Sequence, residues 1–79
     1  MEKEMILGNR LKLNRIEKGN MTQEALAKAI GVSRQTIISL ERGRYMPSIL
    51  LALRLARFFG KPVEEIFFIE EEVEKREKN

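Results

Sequence analysis

The sequence predicts a small all-α fold in which five short helices form one domain. Apolar residues recur at helical spacing along most of the chain, and the segments that carry them are bounded by glycine or proline. A length of 79 residues leaves room for a single core, close to the lower limit at which burial alone stabilises a fold. Association with a second copy is therefore expected to help.

The first two helices are separated at Gly19, a residue suited to a left-handed helix end. Before it, Leu11, Leu13 and Ile16 alternate with basic residues and predict the first helix. After it, Thr22 is a good N-cap for helix two, which carries an apolar stripe that we expect to be buried. This stripe comprises Ala25, Leu26, Ala29 and Ile30.

A tight turn is predicted between helices two and three. Gly31 can take a backbone conformation with positive φ that other residues resist, and Val32 is expected to turn its side chain inward. Ser33 then caps helix three. That helix is expected to bury Ile37 and Leu40, which lie three positions apart.

Two further helices complete the predicted bundle. Ser48 starts helix four, which ends at Gly60, and Pro62 suits the first turn of a short fifth helix. The core candidates of helix four are Leu51, Leu55, Phe58 and Phe59. Those of helix five are Val63, Ile66 and Phe67.

The charge distribution favours a polyanionic partner. The formal net charge is +3, but residues 1–60 hold 11 basic against 5 acidic side chains, whereas residues 61–79 hold 4 against 7. A basic body of this kind suits nucleic acid. The sequence has no run of 18 apolar residues and no signal-peptide pattern, so we expect a cytosolic protein without a membrane partner.

Catalysis and metal binding have little support in the composition. The chain has no Cys and no His, which removes thiolate ligands, the commonest metal ligand and the commonest general base. It also lacks a phosphate-binding glycine loop. We therefore expect no enzyme activity, no metal, no cofactor and no small-molecule ligand.

Residues 8–67 resemble a known family. The matching segments are RLKLNRIEKGNMTQEALAKAIGVSRQTIISLERGRYMPS and LLALRLARFFGKPVEEIF. They resemble the Xre-type family of phage repressor and Cro-like regulators, in which Thr-Gln opens helix two, Gly-Val-Ser precedes the recognition helix, Glu-Arg-Gly closes it and Pro-Ser starts helix four. All four motifs are present. The resemblance implies a five-helix repressor-like bundle with a helix-turn-helix.

Helix three is the recognition helix of this family and enters the major groove of DNA. The resemblance places Arg34, Gln35 and Ser39 at base edges, where Arg can bridge guanine O6 and N7 and Gln can pair with adenine N6 and N7. Thr36 lies beside them and would contact a phosphate or a thymine methyl. A merely solvated helix face is the alternative for these residues.

Two positions depart from the family pattern. Ile38 stands where family members commonly carry a polar residue beside the DNA. It contacts either a thymine methyl or a neighbouring element such as a dimer partner. Asn20 adds one residue to the loop between helices one and two, where we expect a local bulge only.

Other positions match residues that hold the DNA backbone or the scaffold. Gln23, at the start of helix two, matches a residue that hydrogen-bonds a phosphate. Backbone contacts, which give affinity but no sequence information, are also expected after helix three. The residues concerned are Arg42, Arg44 and Tyr45, for which an ordinary solvated loop is the alternative. Arg15 and Glu41 match a partly buried ion pair that links helix one to the end of helix three.

The two ends of the chain are expected to flank the domain. Some short family members add an antiparallel sheet from both ends, and residues 5–7 and 68–70 could form it. Residues from about 72 onward are expected as a solvated tail, with a frayed helix as the alternative. The predicted organisation is thus an arm or strand over 1–8, the DNA-binding domain over 9–67, and a strand with a charged tail over 68–79.

A homodimer is expected, because one recognition helix reads only a few base pairs. Family members generally place two copies on a palindrome, with half-sites about 34 Å apart. We predict an interface through helix five and the adjacent carboxyl-terminal segment. Its residues are Phe59, Ile66, Phe67 and Phe68.

The favoured function is a sequence-specific DNA-binding transcriptional regulator, a dimeric repressor that reads a palindromic operator through helix three. A protein-interaction role, as an antitoxin or a bridging cofactor, is the alternative that the acidic tail keeps open. An enzyme is the third class and has the least support in the residues.

Overall fold

The computed structural model describes residues 5–71. Within that range the fold is mainly helical, with four α-helices and one two-stranded antiparallel sheet. In chain order the elements are β1 (Met5–Asn9), α1 (Leu11–Glu17), α2 (Gln23–Ile30), α3 (Arg34–Glu41), α4 (Ile49–Phe59), a 3-10 turn (Val63–Glu65) and β2 (Phe67–Glu71). The expected solvated tail from about residue 72 lies outside the described residues.

The predicted fifth helix is wrong. The chain forms only the three-residue 3-10 turn Val63–Glu65 and is extended from Phe67. Ile66 is completely buried, and its carbonyl accepts a hydrogen bond from the Arg10 N–H at 2.8 Å. This bond ties the segment to the start of α1, so pairing with β1 takes the place of the hydrogen bonds that a fifth helix would have made.

The small antiparallel sheet expected from the two ends of the domain is present. β1 and β2 pair with Leu7 opposite Ile69 and with Gly8 opposite Phe68. Leu7 packs against the core, whereas Ile69 is exposed. Successive side chains of a strand point to opposite sides of the sheet, so Phe68 and Ile69 are not both buried.

Gly8 leaves space for the ring of Phe68. A Cβ atom at Gly8 would lie 2.5 Å from that ring, over which the Arg10 guanidinium also sits, 4.2 Å from the ring centroid. Gly8→Ala should therefore displace the ring and lower the free energy of unfolding by about 1 to 3 kcal/mol, as measured by urea denaturation. Once Phe68→Ala has removed the ring, Gly8→Ala should cost much less, so strictly additive losses would contradict this contact.

The core lies between the helices and the first part of β2. Ile37 and Leu40 are buried as predicted. The predicted stripe of α2 is partly wrong, because Ala25 and Ala29 are exposed and Ala27 is buried instead. Helix α2 packs mainly against α3, and Ala27 lies on its buried side. The completely or almost completely buried large side chains are Leu11, Leu26, Ile37, Leu40, Leu55 and Ile66.

Two residues assigned to the dimer interface belong to the core of the protomer. Ile66 is 0% and Phe67 is 8% exposed, so these two core candidates leave almost no surface for the dimer interface predicted from the sequence. The cause is the return of β2 along β1, which folds these side chains inward instead of projecting them from a fifth helix. Phe59 and Phe68 are half-buried, and Phe59 packs edge-on against Phe58 with ring centroids 5.1 Å apart.

Candidate nucleic-acid interface

A tight turn joins α2 to α3, as the residues predicted. The Thr22 side chain accepts the Ala25 N–H at 2.9 Å and caps α2, which ends at Gly31 with a φ of 90°. Ser33 then caps α3, its Oγ accepting the Thr36 N–H at 3.1 Å. Residues 31–33 thus form the turn of a helix-turn-helix.

The residues predicted to read bases lie on α3 away from its buried side. Arg34 and Gln35 are exposed, and Ser39 is half-buried. Gln35 Nε2 donates a hydrogen bond to Ser39 Oγ at 3.3 Å. A long, exposed bond of this kind contributes little to stability, so the amide can exchange it for the edge of a base at small cost.

A shallow depression of about 240 Å³ brings residues from both predicted DNA-contacting sets together. Its lining contains hydroxyl groups, an amide and one guanidinium, and no carboxylate, which is a suitable environment for an anionic phosphate. The lining residues are Ser33, Gln35, Thr36, Ser39, Arg44 and Tyr45. Arg34 and Arg42 are exposed at the two ends of α3 and do not line it.

The Arg15–Glu41 ion pair is present and holds the end of α3. Arg15 Nε donates to Glu41 Oε2 at 2.6 Å and Arg15 Nη2 donates to Oε1 at 2.9 Å. The two side chains are only 11% and 10% exposed. Arg15 Nη1 also donates to the Met21 carbonyl at 2.8 Å, so one side chain links α1, the loop before α2 and α3.

Gln23 takes part in this network, which sequence reasoning did not anticipate. Its Nε2 donates to Glu41 Oε1 at 3.1 Å, and the side chain is half-buried at the first residue of α2. An amide nitrogen carries two N–H groups, so a second donor remains for a phosphate. The predicted phosphate contact is thereby connected to the ion pair that fixes α3.

The two departures from the family pattern have different outcomes. The extra residue, Asn20, is absorbed locally, because Gly19 and Asn20 take φ values of 90° and 58°. Asn tolerates this left-handed conformation better than most residues, so the expected local bulge is confirmed. Ile38 is half-buried on α3, and its contact with DNA or with a neighbouring element stays a prediction.

Residues 5–71 contain neither a candidate metal site nor a helix that could span a membrane. No three His, Cys, Asp or Glu residues in that range lie together in a way that could hold a metal ion. The helices of the same segment are all too short or too polar to cross a bilayer.

Comparison with known proteins gives matches over most of the chain. The sequence model of a helix-turn-helix family matches residues 11–66. A relative from Methanocaldococcus jannaschii, named as an uncharacterised HTH-type transcriptional regulator, is 57% identical over 53 residues, which are 67% of this chain and 80% of the relative. One of the same description from Archaeoglobus fulgidus is 54% identical over 55 residues, 70% and 78% of the two chains. The cryptic phage CTXphi transcriptional repressor of Vibrio cholerae is 35% identical over 52 residues, 66% of this chain and 46% of that protein.

Proposed function

The chain belongs to the Xre-type helix-turn-helix family, and we propose that it is a DNA-binding transcriptional regulator that represses by occupying a palindromic operator as a homodimer. Its relatives are named as transcriptional regulators, and one of them is named as a phage repressor. We also propose that it acts in the cytoplasm, because a transcriptional regulator acts where its DNA target lies.

The observation that carries this proposal is the two-sided character of α3. One side is anchored through the buried Ile37 and Leu40, while the other presents Arg34 and Gln35 to solvent. The end of the helix is held by the ion pair at Glu41. A helix fixed in this way presents its polar side chains in a defined arrangement. The entropic cost of ordering the protein when it binds DNA is therefore smaller.

Helix α3 enters the major groove in this mechanism. Arg34 bridges O6 and N7 of a guanine. Gln35 breaks its hydrogen bond to Ser39 and pairs with N6 and N7 of an adenine. Ser39 and Thr36 contact neighbouring base or phosphate groups along the same face. Each bidentate pair discriminates against the wrong base by about 1 to 3 kcal/mol.

Contacts to the sugar-phosphate backbone set the register of α3 in the groove. Gln23 offers a phosphate its second side-chain N–H and lies at the N-terminus of α2, where an anion is favoured. The loop after α3 contacts the DNA backbone at the opposite end of this helix through Arg42, Arg44 and Tyr45. These contacts supply affinity that falls as salt rises, because each neutralised phosphate releases counterions.

Two copies are needed because a single α3 spans only a few base pairs. A two-fold symmetric dimer places its two recognition helices in successive major grooves, with half-sites about one helical turn apart. Bound at a promoter, such a dimer represses by excluding the transcription machinery.

The proposal is tested by selecting bound DNA from a random pool with the purified 79-residue chain. We expect enrichment of an inverted repeat whose half-site centres are about 10 base pairs apart. Lys61→Ala removes one positive charge from a residue outside α3, so this variant should select the same motif as the wild type. Enrichment of no sequence would refute the regulator, and enrichment of a single half-site without symmetry would refute the dimer.

A further inference from the structure

The side-chain amide of Gln23 lies against the carboxylate of Glu41. Gln23 is the first residue of α2, and Glu41 is the last residue of α3. Gln23 Nε2 donates to Glu41 Oε1 at 3.1 Å, and the same oxygen accepts a hydrogen bond from Arg15 Nη2 at 2.9 Å. The Gln23 amide is therefore held by a residue 18 positions away in the chain.

The chemistry of the two side chains decides which end of the amide faces Glu41. A carboxylate paired with a guanidinium can only accept hydrogen bonds, whereas a glutamine amide has a donor nitrogen at one end and an acceptor oxygen at the other. The nitrogen of Gln23 therefore faces Glu41, and its oxygen points elsewhere. A glutamine without such a neighbour presents either end of its amide.

A DNA phosphate makes the same demand on the amide. Phosphate oxygens accept hydrogen bonds, so a phosphate binds the nitrogen end of a glutamine amide and is repelled by the oxygen end. Gln23 Nε2 carries two N–H groups, one of which goes to Glu41. The bond to Glu41 thus holds the second N–H ready for a phosphate before DNA binds.

The Glu41 carboxylate is itself held in place by Arg15. The guanidinium binds it through two N–H groups, at 2.6 and 2.9 Å, and the two side chains are only 11% and 10% exposed. A bidentate pair of this kind fixes the geometry of both partners, so the acceptor for Gln23 keeps its position. Arg15 also offsets the negative charge that Glu41 would otherwise bring close to the DNA backbone.

We propose that Glu41 is a positioning residue for DNA binding, which acts through Gln23 by holding the donor end of its amide toward a backbone phosphate. The proposal rests on the proposed function, because it concerns the contact between Gln23 and DNA. The Arg15–Glu41 pair then has a second role besides holding α3. It orders the Gln23 side chain when the protein folds, so this entropic cost does not fall on DNA binding.

The first measurement uses the wild-type chain without DNA. The sequence contains two glutamines, and the second, Gln35, is exposed and makes a 3.3 Å bond to Ser39. The heteronuclear Overhauser effect of each side-chain amide reports its motion on the picosecond-to-nanosecond timescale. We expect the Gln23 amide to be nearly as ordered as the backbone of α2 and the Gln35 amide to be clearly more mobile. Equal mobility of the two amides would overturn the proposal.

The second measurement compares two double substitutions that leave the net charge of +3 unchanged. Arg15→Met with Glu41→Leu removes the acceptor for Gln23. The matched control, Lys61→Met with Glu17→Leu, removes the solvent-exposed ion pair in the same way. The affinity of each chain for duplex DNA is measured with and without Gln23→Ala, and circular dichroism verifies that each chain is folded. Any duplex serves, because phosphate contacts are independent of sequence.

The buried ion-pair substitution should weaken DNA binding by roughly 2- to 12-fold for each bound protomer, because the amide must then be ordered on binding. In a chain that also carries Gln23→Ala it should have almost no further effect, since the group through which Glu41 acts is gone. The control pair should bind DNA like the wild type. A displacement of α3 as a whole would weaken binding equally with and without Gln23, and such additive losses would overturn the proposal.

Ethylation of single DNA phosphates gives a readout that a general loss of stability does not produce. The phosphate bound by Gln23 is the one at which ethylation weakens the wild type but not Gln23→Ala. The buried ion-pair substitution should reduce the effect of ethylation at that phosphate and leave it unchanged at the phosphates bound by the loop after α3. An equal reduction at all phosphates would indicate a displaced helix and contradict the positioning role.

The outcomes separate this positioning role from the proposed function. If the ion pair and Gln23 are coupled on random duplex DNA while no sequence is enriched, the positioning role stands and the sequence-specific regulator fails. If a palindrome is enriched while the losses are additive, the regulator stands and the positioning role fails. A folded chain that binds no duplex DNA would refute both.

Discussion

Arg15→Ala is expected to lower the free energy of unfolding by about 3 to 5 kcal/mol, measured by urea denaturation. The substitution leaves the Glu41 carboxylate buried, with the Gln23 amide as the side-chain donor that remains from this network. It also removes the donor to the Met21 carbonyl. Domains have total stabilities of about 5 to 15 kcal/mol, so this single change removes a large part of the stability of a chain this small.

Two controls test whether the loss of stability comes from leaving a buried charge without its partner. Lys61→Ala breaks a solvent-exposed ion pair with Glu17, 2.9 Å long, and should cost at most about 1 kcal/mol. Arg15→Met combined with Glu41→Leu removes both buried charges and should recover much of the loss, because no ion is left unpaired. If Arg15→Ala costs no more than Lys61→Ala, the ion pair is not part of the scaffold.

Arg34→Ala is expected to change the sequence that the protein selects. Loss of the bidentate contact should remove about 1 to 3 kcal/mol of discrimination per half-site, at one base position only. Arg34 is exposed and outside the core, so the melting temperature should change little. Selection from a random pool, followed by titration of single-base variants of the site, measures the effect.

Arg44→Ala provides the contrast, because the same charge is removed from a backbone contact. It should weaken binding to all sequences about equally and reduce the slope of log affinity against log salt by about 1. If Arg34→Ala selects the wild-type motif and merely weakens binding as Arg44→Ala does, direct readout by Arg34 is wrong.

The caps and turns could be predicted because their causes are local. Thr22, Ser33 and Ser48 each accept the N–H three residues further on, as their residue types and positions indicated. Gly31 and Gly60 end α2 and α4 with φ values of 90° and 69°. Each of these features depends on only a few neighbouring residues, so the sequence contains all the information needed.

Residues 63–67 could not be predicted in the same way. Val63, Ile66 and Phe67 fit a helical spacing, but a short apolar run also suits a strand. The choice depends on the hydrogen bond from Arg10 to the Ile66 carbonyl and on pairing with β1, both across more than fifty residues of chain. Interactions over such a separation leave no signal in local periodicity.

The amino-acid sequence by itself determined the helix-turn-helix, the family and the polar residues on α3, because caps, turns and apolar spacing act over one or two helical turns. Only the tertiary structure decided between the core and the dimer interface for Ile66, which the sequence made a candidate for both, and only it brought Gln23 to Glu41. Apolar residues are alike in sequence, and which of them become buried depends on the surfaces that meet when distant elements pack.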